Sequence, residues 1–390
     1  MQTFIWNKYM TKIKLLHFIN SLNIGGAESL VKDYALLIDK EKFDVVILCH
    51  DRIGSLYEKL LQNAGIRFFF ISDFFPFKKL YFNRLVNKIV RHSYLDKLIA
   101  KIIIKKEKPD IIHSHQPFNR IIEFVNPSKK CKLFHTVHSE PKEFWCTGTR
   151  YANRDFKAVS SLIKKHGMRL IALHEPMRQE LNQMFHVNNT VVLNNGLDFS
   201  RFNVSESKEV IRKELNISED AFLVGHVGRF VPLKRHDLIV DSFYELCKIK
   251  KNAHLLLVGS GELRSHIEEK IKLMQLREKV TILEPRLDIP RIMKSLDVFI
   301  FPSLFEGLGI VLIEAQRMGV PCVVSDAIPE AANVSNLVVK MPKDSAPLQW
   351  AEKLNGACSI HPEYFGIEKW DMSIVVKQLE NLYLQEISQG

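Results

Sequence analysis

The sequence lacks the features that mark membrane-spanning, secreted and disulfide-rich proteins. No stretch reaches about 18 uninterrupted apolar residues, and the amino terminus lacks the apolar middle and small-residue cleavage site of a secretory signal. We therefore expect the chain to stay in the cytoplasm. The six cysteines include no CxxC and no close pair, which favours reduced thiols over disulfides or a structural zinc site.

The sequence also lacks the short motifs of several enzyme classes. It has no GxSxG, HExxH or P-loop sequence and no DxD with acidic neighbours, which argues against hydrolases, zinc proteases, P-loop enzymes and metal-dependent transferases. Gly25 and Gly26 follow the first predicted strand without forming GxGxxG. Asp51 is a weak match to the acidic residue that binds the ribose of a dinucleotide. A tight turn and a phosphate- or sugar-binding loop both remain open for the glycine pair.

Net positive charge is confined to the first half of the chain. The net charge is +11, but residues 1–200 carry +13 and residues 201–390 carry −2. The densest basic segment is residues 78–108, with ten lysines and arginines against Asp96 and Glu107. Apolar residues recur among the basic ones over 84–106, which favours an amphipathic helix on an anionic membrane surface. A solvated helix is the main alternative, and nucleic-acid binding is disfavoured.

The length and hydrophobic pattern indicate two α/β domains. At 390 residues the chain exceeds what one hydrophobic core usually supports. Short β-branched runs alternate with helical periods in both halves, a pattern that predicts two doubly wound parallel sheets. A polar, turn-rich stretch near residue 200 separates a domain over 1–200 from one over 201–372. Ligands of such sheets bind at the carboxyl ends of strands, so we expect a cleft lined by strand-to-helix loops.

Two carboxylates flank a glycine turn in "FPSLFEGLGIVLIEA", residues 301–315. The apolar runs predict a buried strand and then a helix, so Glu306 lies in the connecting loop and Glu314 on the helix. Gly307 and Gly309 permit tight backbone geometry whose amides can face an anion. The carboxylates should lie about 10 Å apart and contact different parts of one extended ligand. Either glutamate could instead be a solvated surface residue, although the apolar neighbours of Glu314 make that costly.

Two cations follow the first predicted strand of the second half, in "GHVGRFVPLKRHD". Arg229 ends the strand and Lys234 precedes the next helix, an arrangement that suits a diphosphate and can neutralise a leaving group. Solvated basic residues of a loop are the alternative. Gly259 and Gly261 follow the next strand, where we interpret GxG first as a tight turn.

Histidines cluster at predicted strand ends of the first half. We expect His113 and His115 to face opposite sides of their strand, and His135 and His138 likewise, so that neither pair chelates a metal. A lone histidine is usually structural. His138 follows its strand at the carboxyl end, and we expect it to contact substrate.

These motifs together resemble family 4 glycosyltransferases. The resemblance rests on "VLNNGLDFSRF", "GRFVPLKRHD", "LLLVGSGELR" and "LDVFIFPSLFEGLGIVLIEAQRMGVPCVVSD", spans residues 12–385 and is strongest over 222–330. "VSDAIPEAANVSNLVVKM" resembles the bacterial branch that builds capsule, exopolysaccharide or O-antigen. The resemblance implies a GT-B fold, with two Rossmann-like domains, a deep interdomain cleft and a C-terminal helix, 373–390, that packs back on the first domain.

The resemblance also implies roles for individual residues. Arg229 and Lys234 would hold the donor diphosphate, and Glu314 would hold the ribose hydroxyls. Glu306 and His138 would act catalytically, Glu306 at the hydroxyls of the transferred sugar and His138 near sugar and acceptor. Two loops would complete the donor site through their backbone: Gly25 and Gly26 in one, and Gly307, Leu308 and Gly309 in the other.

The implied activity is retaining, metal-independent hexosyl transfer without a cofactor. The donor would be a nucleotide-sugar, foremost a UDP-sugar, and the acceptor a polyprenyl-diphosphate-linked saccharide at the inner face of the cell membrane. One departure is His174, which replaces a serine of the family pattern. A UDP-sugar 2-epimerase of similar architecture and a non-catalytic partner subunit are the alternatives.

Overall fold

The chain divides into two compact units. The computed structural model describes residues 11–74, 94–116, 118–357 and 361–389. The first unit comprises Met1–Gly196 with Ser373–Gly390, and the second comprises Leu197–Met372. No helix within the described residues combines the length and apolar character needed to cross a membrane.

The first unit is built on a parallel sheet of seven strands. They are β1 (Ile13–Ile19), β2 (Phe43–Cys49), β3 (Arg67–Phe70), β4 (Ile111–Ser114), β5 (Lys132–Thr136), β6 (Arg169–Ala172) and β7 (Val191–Val192). The order across the sheet is β3-β2-β1-β4-β5-β6-β7, so the winding direction reverses between β1 and β4. The carboxyl ends of these two strands therefore form the topological switch point where ligands of such sheets bind.

Within the described residues, seven helices connect these strands. They are α1 (Gly26–Leu37), α2 (Leu56–Asn63), α3 (Tyr94–Glu107), α4 (Asn119–Val125), α5 (Pro141–Trp145), α6 (Arg150–His166) and α7 (Glu175–Phe185). Side-chain caps fix the start of several of them. The Thr149 hydroxyl accepts a hydrogen bond from Ala152 N at 3.2 Å at the start of α6. His174, the departure from the family serine, caps α7 in the same way, because its Nδ1 accepts from Met177 N at 3.2 Å.

The second unit has its own parallel sheet of six strands. They are β8 (Phe222–Val227), β9 (Ala253–Val258), β10 (Val280–Leu283), β11 (Val298–Phe301), β12 (Cys322–Ser325) and β13 (Val338–Met341). Their order is β10-β9-β8-β11-β12-β13, which places the switch point between β8 and β11. The continuous apolar runs of β8 and β11 are buried, as expected for central parallel strands.

In the part of the chain that the structure describes, six helices accompany the second sheet and one further helix follows them. Those of the second unit are α8 (Lys208–Glu214), α9 (His236–Ile249), α10 (Arg264–Leu273), α11 (Ile289–Ser295), α12 (Ile310–Arg317) and α13 (Pro347–Asn355). The terminal helix, α14 (Met372–Ser388), packs within the first unit. Its buried Tyr383 hydroxyl lies 2.6 Å from His113 Nδ1, and its Glu386 pairs with Arg169 at 2.8 Å.

Candidate active site

The switch point of the second sheet brings Lys234 and Glu306 into direct contact. Lys234 Nζ donates a hydrogen bond to Glu306 Oε1. The side chains are 14% and 13% exposed. The ammonium also lies 4.8 Å from the centroid of the Phe301 ring, at the end of β11. A backbone hydrogen bond of 3.0 Å from Leu304 N to Leu233 O holds the two loops together. The residue predicted to bind the diphosphate and the residue predicted to bind the transferred sugar are therefore in direct contact.

The loop that carries Arg229 is fixed by close backbone packing. Gly228 N and Phe230 N donate to carbonyls at the end of β9 and in the loop after it, at 3.0 and 2.9 Å. A Cβ on Gly259 would lie 2.0 Å from Gly228 O, and one on Gly261 would lie 2.4 Å from Phe230 O. The two glycines thus allow the two loops to touch through their backbones. Arg229 itself is exposed on this rigid support.

The glycine turn before α12 has the geometry that its sequence predicts. Gly309 caps the helix with φ +83, a left-handed conformation that favours glycine, and its added Cβ would lie 3.1 Å from the Phe301 ring. Gly307 and Leu308 are buried. Glu314 follows in the second turn of α12, partly exposed. The loop backbone, Glu306 and Glu314 therefore lie along one strand-loop-helix segment.

Buried histidines support the Lys234 loop, and the sequence reasoning did not assign them a role. His226 Nδ1 donates to Ile300 O at 2.9 Å. Among the described residues no group pairs with His226 Nε2, with either His236 nitrogen or with Ser303 Oγ, although all are buried. Burial holds the pKa of His226 well below its usual value and lowers that of His236 to about 4, with the Lys234 charge contributing to both. Both histidines are therefore neutral near pH 7, so the positive charge of this loop comes from its arginine and lysine side chains.

The glycine loop of the first unit lies at the other switch point. Gly25 caps α1 in an extended conformation, and a Cβ there would lie 2.4 Å from Glu28 Oε2. Glu28 Oε1 accepts from Gln116 Nε2 at 3.0 Å, and Gln116 Oε1 accepts from Asn20 N at 3.0 Å. The loop is thereby linked to the residues that follow β4. Gly26 is exposed at the first position of the helix.

The histidines of the first unit form a cluster, and the expectation for the β4 pair is wrong. Side chains two residues apart share a face of a strand. The His113 and His115 rings accordingly lie 4.0 Å apart by their centroids. His17 of β1 joins them, and ligand atoms of the three lie within 4.8 Å of one another. His115 Nδ1 lies 3.3 Å from His138 Nε2. His135 pairs elsewhere, with the serine that ends β4, at 2.8 Å.

The cluster carries no charge near neutral pH. Burial lowers the pKa of His17 to about 3 and that of His138 to about 3. Burial also holds the pKa of His113 and of His115 well below the usual value of histidine. A neutral imidazole has one N–H donor and one lone pair. Where two such rings are hydrogen-bonded, the protonated nitrogen of one ring therefore determines which nitrogen is protonated in the next.

Helix α3 is the described part of the basic segment. Residues 78–93 of the predicted membrane-binding segment lie outside the described residues. Helix α3 buries Ile99, Ile103 and two further apolar residues of one face. Tyr94 and Ile102 are 68% and 66% exposed. The part of the segment that the structure describes is therefore amphipathic, with apolar side chains exposed among lysines.

Two family models match the chain. The model described as Glycosyltransferase Family 4 matches residues 24–201, and the model described as Glycosyl transferases group 1 matches residues 207–339. The first range contains Gly25 and His138, and the second contains Arg229, Lys234 and Glu306.

Relatives with known names cover most of the chain. The putative glycosyltransferase EpsF of Bacillus subtilis is 27% identical over 352 residues, which is 89% of this chain and 88% of EpsF. An Escherichia coli protein named UDP-Gal:α-D-GlcNAc-diphosphoundecaprenol α-1,3-galactosyltransferase is 27% identical over 340 residues, 85% of this chain and 82% of that protein. The solved structure of Anabaena HepE in complex with UDP and glucose aligns with TM-score 0.68 and 19% identity over 97% of this chain and 98% of HepE. This likeness confirms the GT-B fold.

Proposed function

The chain belongs to the family 4 glycosyltransferases, and from this premise we propose that it transfers a sugar from a UDP-sugar to a polyprenyl-diphosphate-linked saccharide during synthesis of a bacterial surface polysaccharide. The observation that carries the proposal is the Lys234–Glu306 pair at the β8–β11 switch point, with exposed Arg229 in the same loop as Lys234. A cation, a carboxylate and a rigid glycine loop at this position suit a nucleotide-sugar, which has both a diphosphate and hydroxyl groups.

The diphosphate binds Arg229 and Lys234 in this scheme. Lys234 then exchanges the Glu306 carboxylate for a phosphate oxygen. Each cation contributes about 4 kcal/mol of attraction at an effective dielectric of about 20, before desolvation costs. This positive charge stabilises the negative charge that develops on the leaving diphosphate, which is the largest single requirement of the reaction. We therefore include metal independence in the proposal.

Glu306, released from Lys234, accepts hydrogen bonds from hydroxyl groups of the transferred sugar. Glu314, in the second turn of α12, accepts hydrogen bonds from the ribose hydroxyl groups. The backbone of Gly307, Leu308 and Gly309 lies between the two carboxylates and completes the site. In this arrangement nucleotide affinity and sugar turnover depend on different glutamates.

The reaction proceeds at one face of the sugar. The bond between the anomeric carbon and the diphosphate oxygen breaks, and the acceptor hydroxyl oxygen forms its bond from the same face, with its proton passing to the departing phosphate. Configuration at the anomeric carbon is thereby retained, and the scheme needs no protein nucleophile.

The proposed acceptor is lipid-linked, and helix α3 supports this part of the proposal. A relative of this chain is named for a diphosphoundecaprenol-linked acceptor. The exposed Tyr94 and Ile102 side chains and the nearby lysines suit the interface of an anionic membrane, where apolar groups enter the headgroup boundary. We place the enzyme at the inner face of the cell membrane, with residues 78–108 toward the lipid.

A transfer assay tests the proposal. Purified protein is incubated with a panel of nucleotide-sugars and polyprenyl-diphosphate-linked saccharides, with and without EDTA, and products are identified by mass spectrometry and anomeric NMR. Retained configuration and EDTA-insensitive transfer are expected, and the Arg229→Ala/Lys234→Ala double variant is the inactive control. Folded protein that neither transfers nor hydrolyses any donor would contradict the proposal. Epimerised donor without acceptor would favour the epimerase instead.

A further inference from the structure

Three histidines of the first unit form a continuous hydrogen-bonded line. His17 Nδ1 lies 2.9 Å from His115 Nε2, and His115 Nδ1 lies 3.3 Å from His138 Nε2. His17 is fully buried on β1, and His115 is 1% exposed after β4. His138 is the partly exposed end of the line. The line therefore runs from the core of the sheet to its switch point, where a ligand would bind.

The buried end of the line decides where its protons lie. Among the described residues no group pairs with His17 Nε2, which is inaccessible to water. A buried N–H without a partner is rare in proteins, so we assign a lone pair to this atom and the proton to Nδ1. His17 Nδ1–H then donates to His115 Nε2. His115 must carry its own proton on Nδ1, which donates to His138 Nε2, and His138 in turn carries its proton on Nδ1.

A metal centre is the competing interpretation of these histidines, and their hydrogen bonds disfavour it. His113 Nδ1 is engaged by the Tyr383 hydroxyl at 2.6 Å, and His113 Nε2 by the Thr136 hydroxyl at 2.7 Å. The facing nitrogens of His17 and His115 are already at hydrogen-bond distance from each other. The His113 ring lies against the His115 ring, with 4.0 Å between their centroids, and a metal would have to break several of these hydrogen bonds.

We propose that His17 and His115 are positioning residues that hold His138 in the Nδ1–H form, so that His138 presents a hydrogen-bond donor, and not a basic lone pair, to a ligand oxygen. The identity of that ligand, a sugar or acceptor oxygen, rests on the proposed function. His138 consequently orients the oxygen without taking its proton, which agrees with a reaction in which the acceptor proton leaves with the phosphate.

Tautomer-sensitive NMR tests this assignment without turnover. Long-range ¹H–¹⁵N spectra of the full chain, labelled at histidine nitrogens, show which ring nitrogen is protonated, and the His138→Gln variant identifies the His138 signals. We expect a protonated Nδ1 and an unprotonated Nε2 in the wild type. A protonated His138 Nε2 in the wild type would overturn the proposal. Since the spectra need neither donor nor acceptor, failure of the transfer assay leaves this test intact.

Two substitutions at the buried end test the relay itself. His17→Phe removes the donor to His115, so the Nδ1–H form of His138 should be lost or mixed with the Nε2–H form. His17→Asn places an amide donor at the same position and should restore it. His135→Asn replaces a buried histidine outside the line and should leave the His138 signals unchanged. Unchanged signals in folded His17→Phe, or stoichiometric zinc in the purified wild type, would overturn the relay.

Discussion

Lys234 Nζ donates a hydrogen bond to the Glu306 carboxylate, at the switch point of the second sheet. Both groups are largely shielded from water, so removing either one leaves a partly buried charge without its partner. A diphosphate that takes Lys234 replaces one anionic partner by another and releases Glu306 at the same moment. Diphosphate binding is therefore coupled to the exposure of the carboxylate that we assign to the sugar.

Replacing Lys234 should weaken nucleotide binding. Lys234→Ala removes a charge-assisted hydrogen bond to the diphosphate, worth about 1.5 to 3 kcal/mol, so the dissociation constant for UDP should rise about 10- to 100-fold. Isothermal titration calorimetry measures this change. Lys248→Ala, which removes a surface lysine paired with Glu245 on α9, is the control and should bind UDP normally. Equal affinities for the two variants would exclude a role for Lys234 in the donor site.

Gly259 should be needed for both stability and donor binding. A methyl group at Gly259 would lie 2.0 Å from Gly228 O and displace the loop that carries Arg229, so Gly259→Ala should unfold more easily and bind UDP more weakly. Gly319 also has a positive φ, +74, but an added Cβ meets nothing within 4 Å. Gly319→Ala should cost only about 1 to 2 kcal/mol and leave UDP affinity unchanged. Chemical denaturation and calorimetry measure both effects, and matching results would refute this account of the loop.

The strands were predictable where they are central and buried. Continuous apolar runs marked β8 and β11, and the periodic alternation marked both parallel sheets. The sequence analysis missed β3 and β13, which form edges of the two sheets. Both are apolar, with three phenylalanines in β3 and two valines and a methionine in β13, so a signal was present and was overlooked.

The site was predictable in its residues but not in its contacts. Lys234 and Glu306 lie 72 positions apart, and only the adjacency of β8 and β11 brings them together. The adjacency of β1 and β4 likewise creates the His17–His115 contact, which no local sequence motif predicts. The same-face placement of His113 and His115 did have a signal, their spacing of two residues, and it was misread.

His50 should make the first unit more stable below neutral pH than above pH 9. Burial lowers the pKa of His50, but Asp51 at 2.8 Å and Asp96 at 3.4 Å outweigh it and raise that pKa to about 9. Since the folded state binds the proton more tightly, the stabilisation is fully present below the unfolded pKa of about 6.5. It is lost as the pH rises through 9, and amounts to about 3 kcal/mol.

Denaturant unfolding at pH 6 and pH 10 measures this contribution. The free-energy difference between wild type and His50→Gln should shrink by about 3 kcal/mol over this range. His361→Gln, which replaces an exposed histidine of the second unit, is the control and should follow the wild type. Parallel curves for wild type and His50→Gln would show that the ion pairs of His50 do not contribute.

Helix α3 should bind anionic membranes through both charge and apolar contact. Flotation with liposomes should require anionic lipid and weaken as salt rises, because salt screens the lysines. Ile102→Glu should reduce flotation several-fold, since it places a charge where an apolar side chain enters the membrane. Ile249→Glu, at a residue that is 47% exposed on α9 of the second unit, is the matched control. Binding that ignores lipid charge, salt and the Ile102 substitution would contradict the electrostatic account.

The central claim is that Glu306 contacts the transferred sugar, whereas Glu314 contacts the ribose of the nucleotide. Steady-state kinetics and calorimetry of Glu306→Gln and Glu314→Gln test this claim most directly. Glu306→Gln should lower kcat while UDP binds at least as tightly as to the wild type, because the lost contact is to the transferred sugar and Lys234 no longer has to leave a carboxylate to bind the diphosphate. Glu314→Gln should weaken UDP binding and raise KM with a smaller effect on kcat, because the lost contact is to the ribose. The same defect in both folded variants would contradict the account.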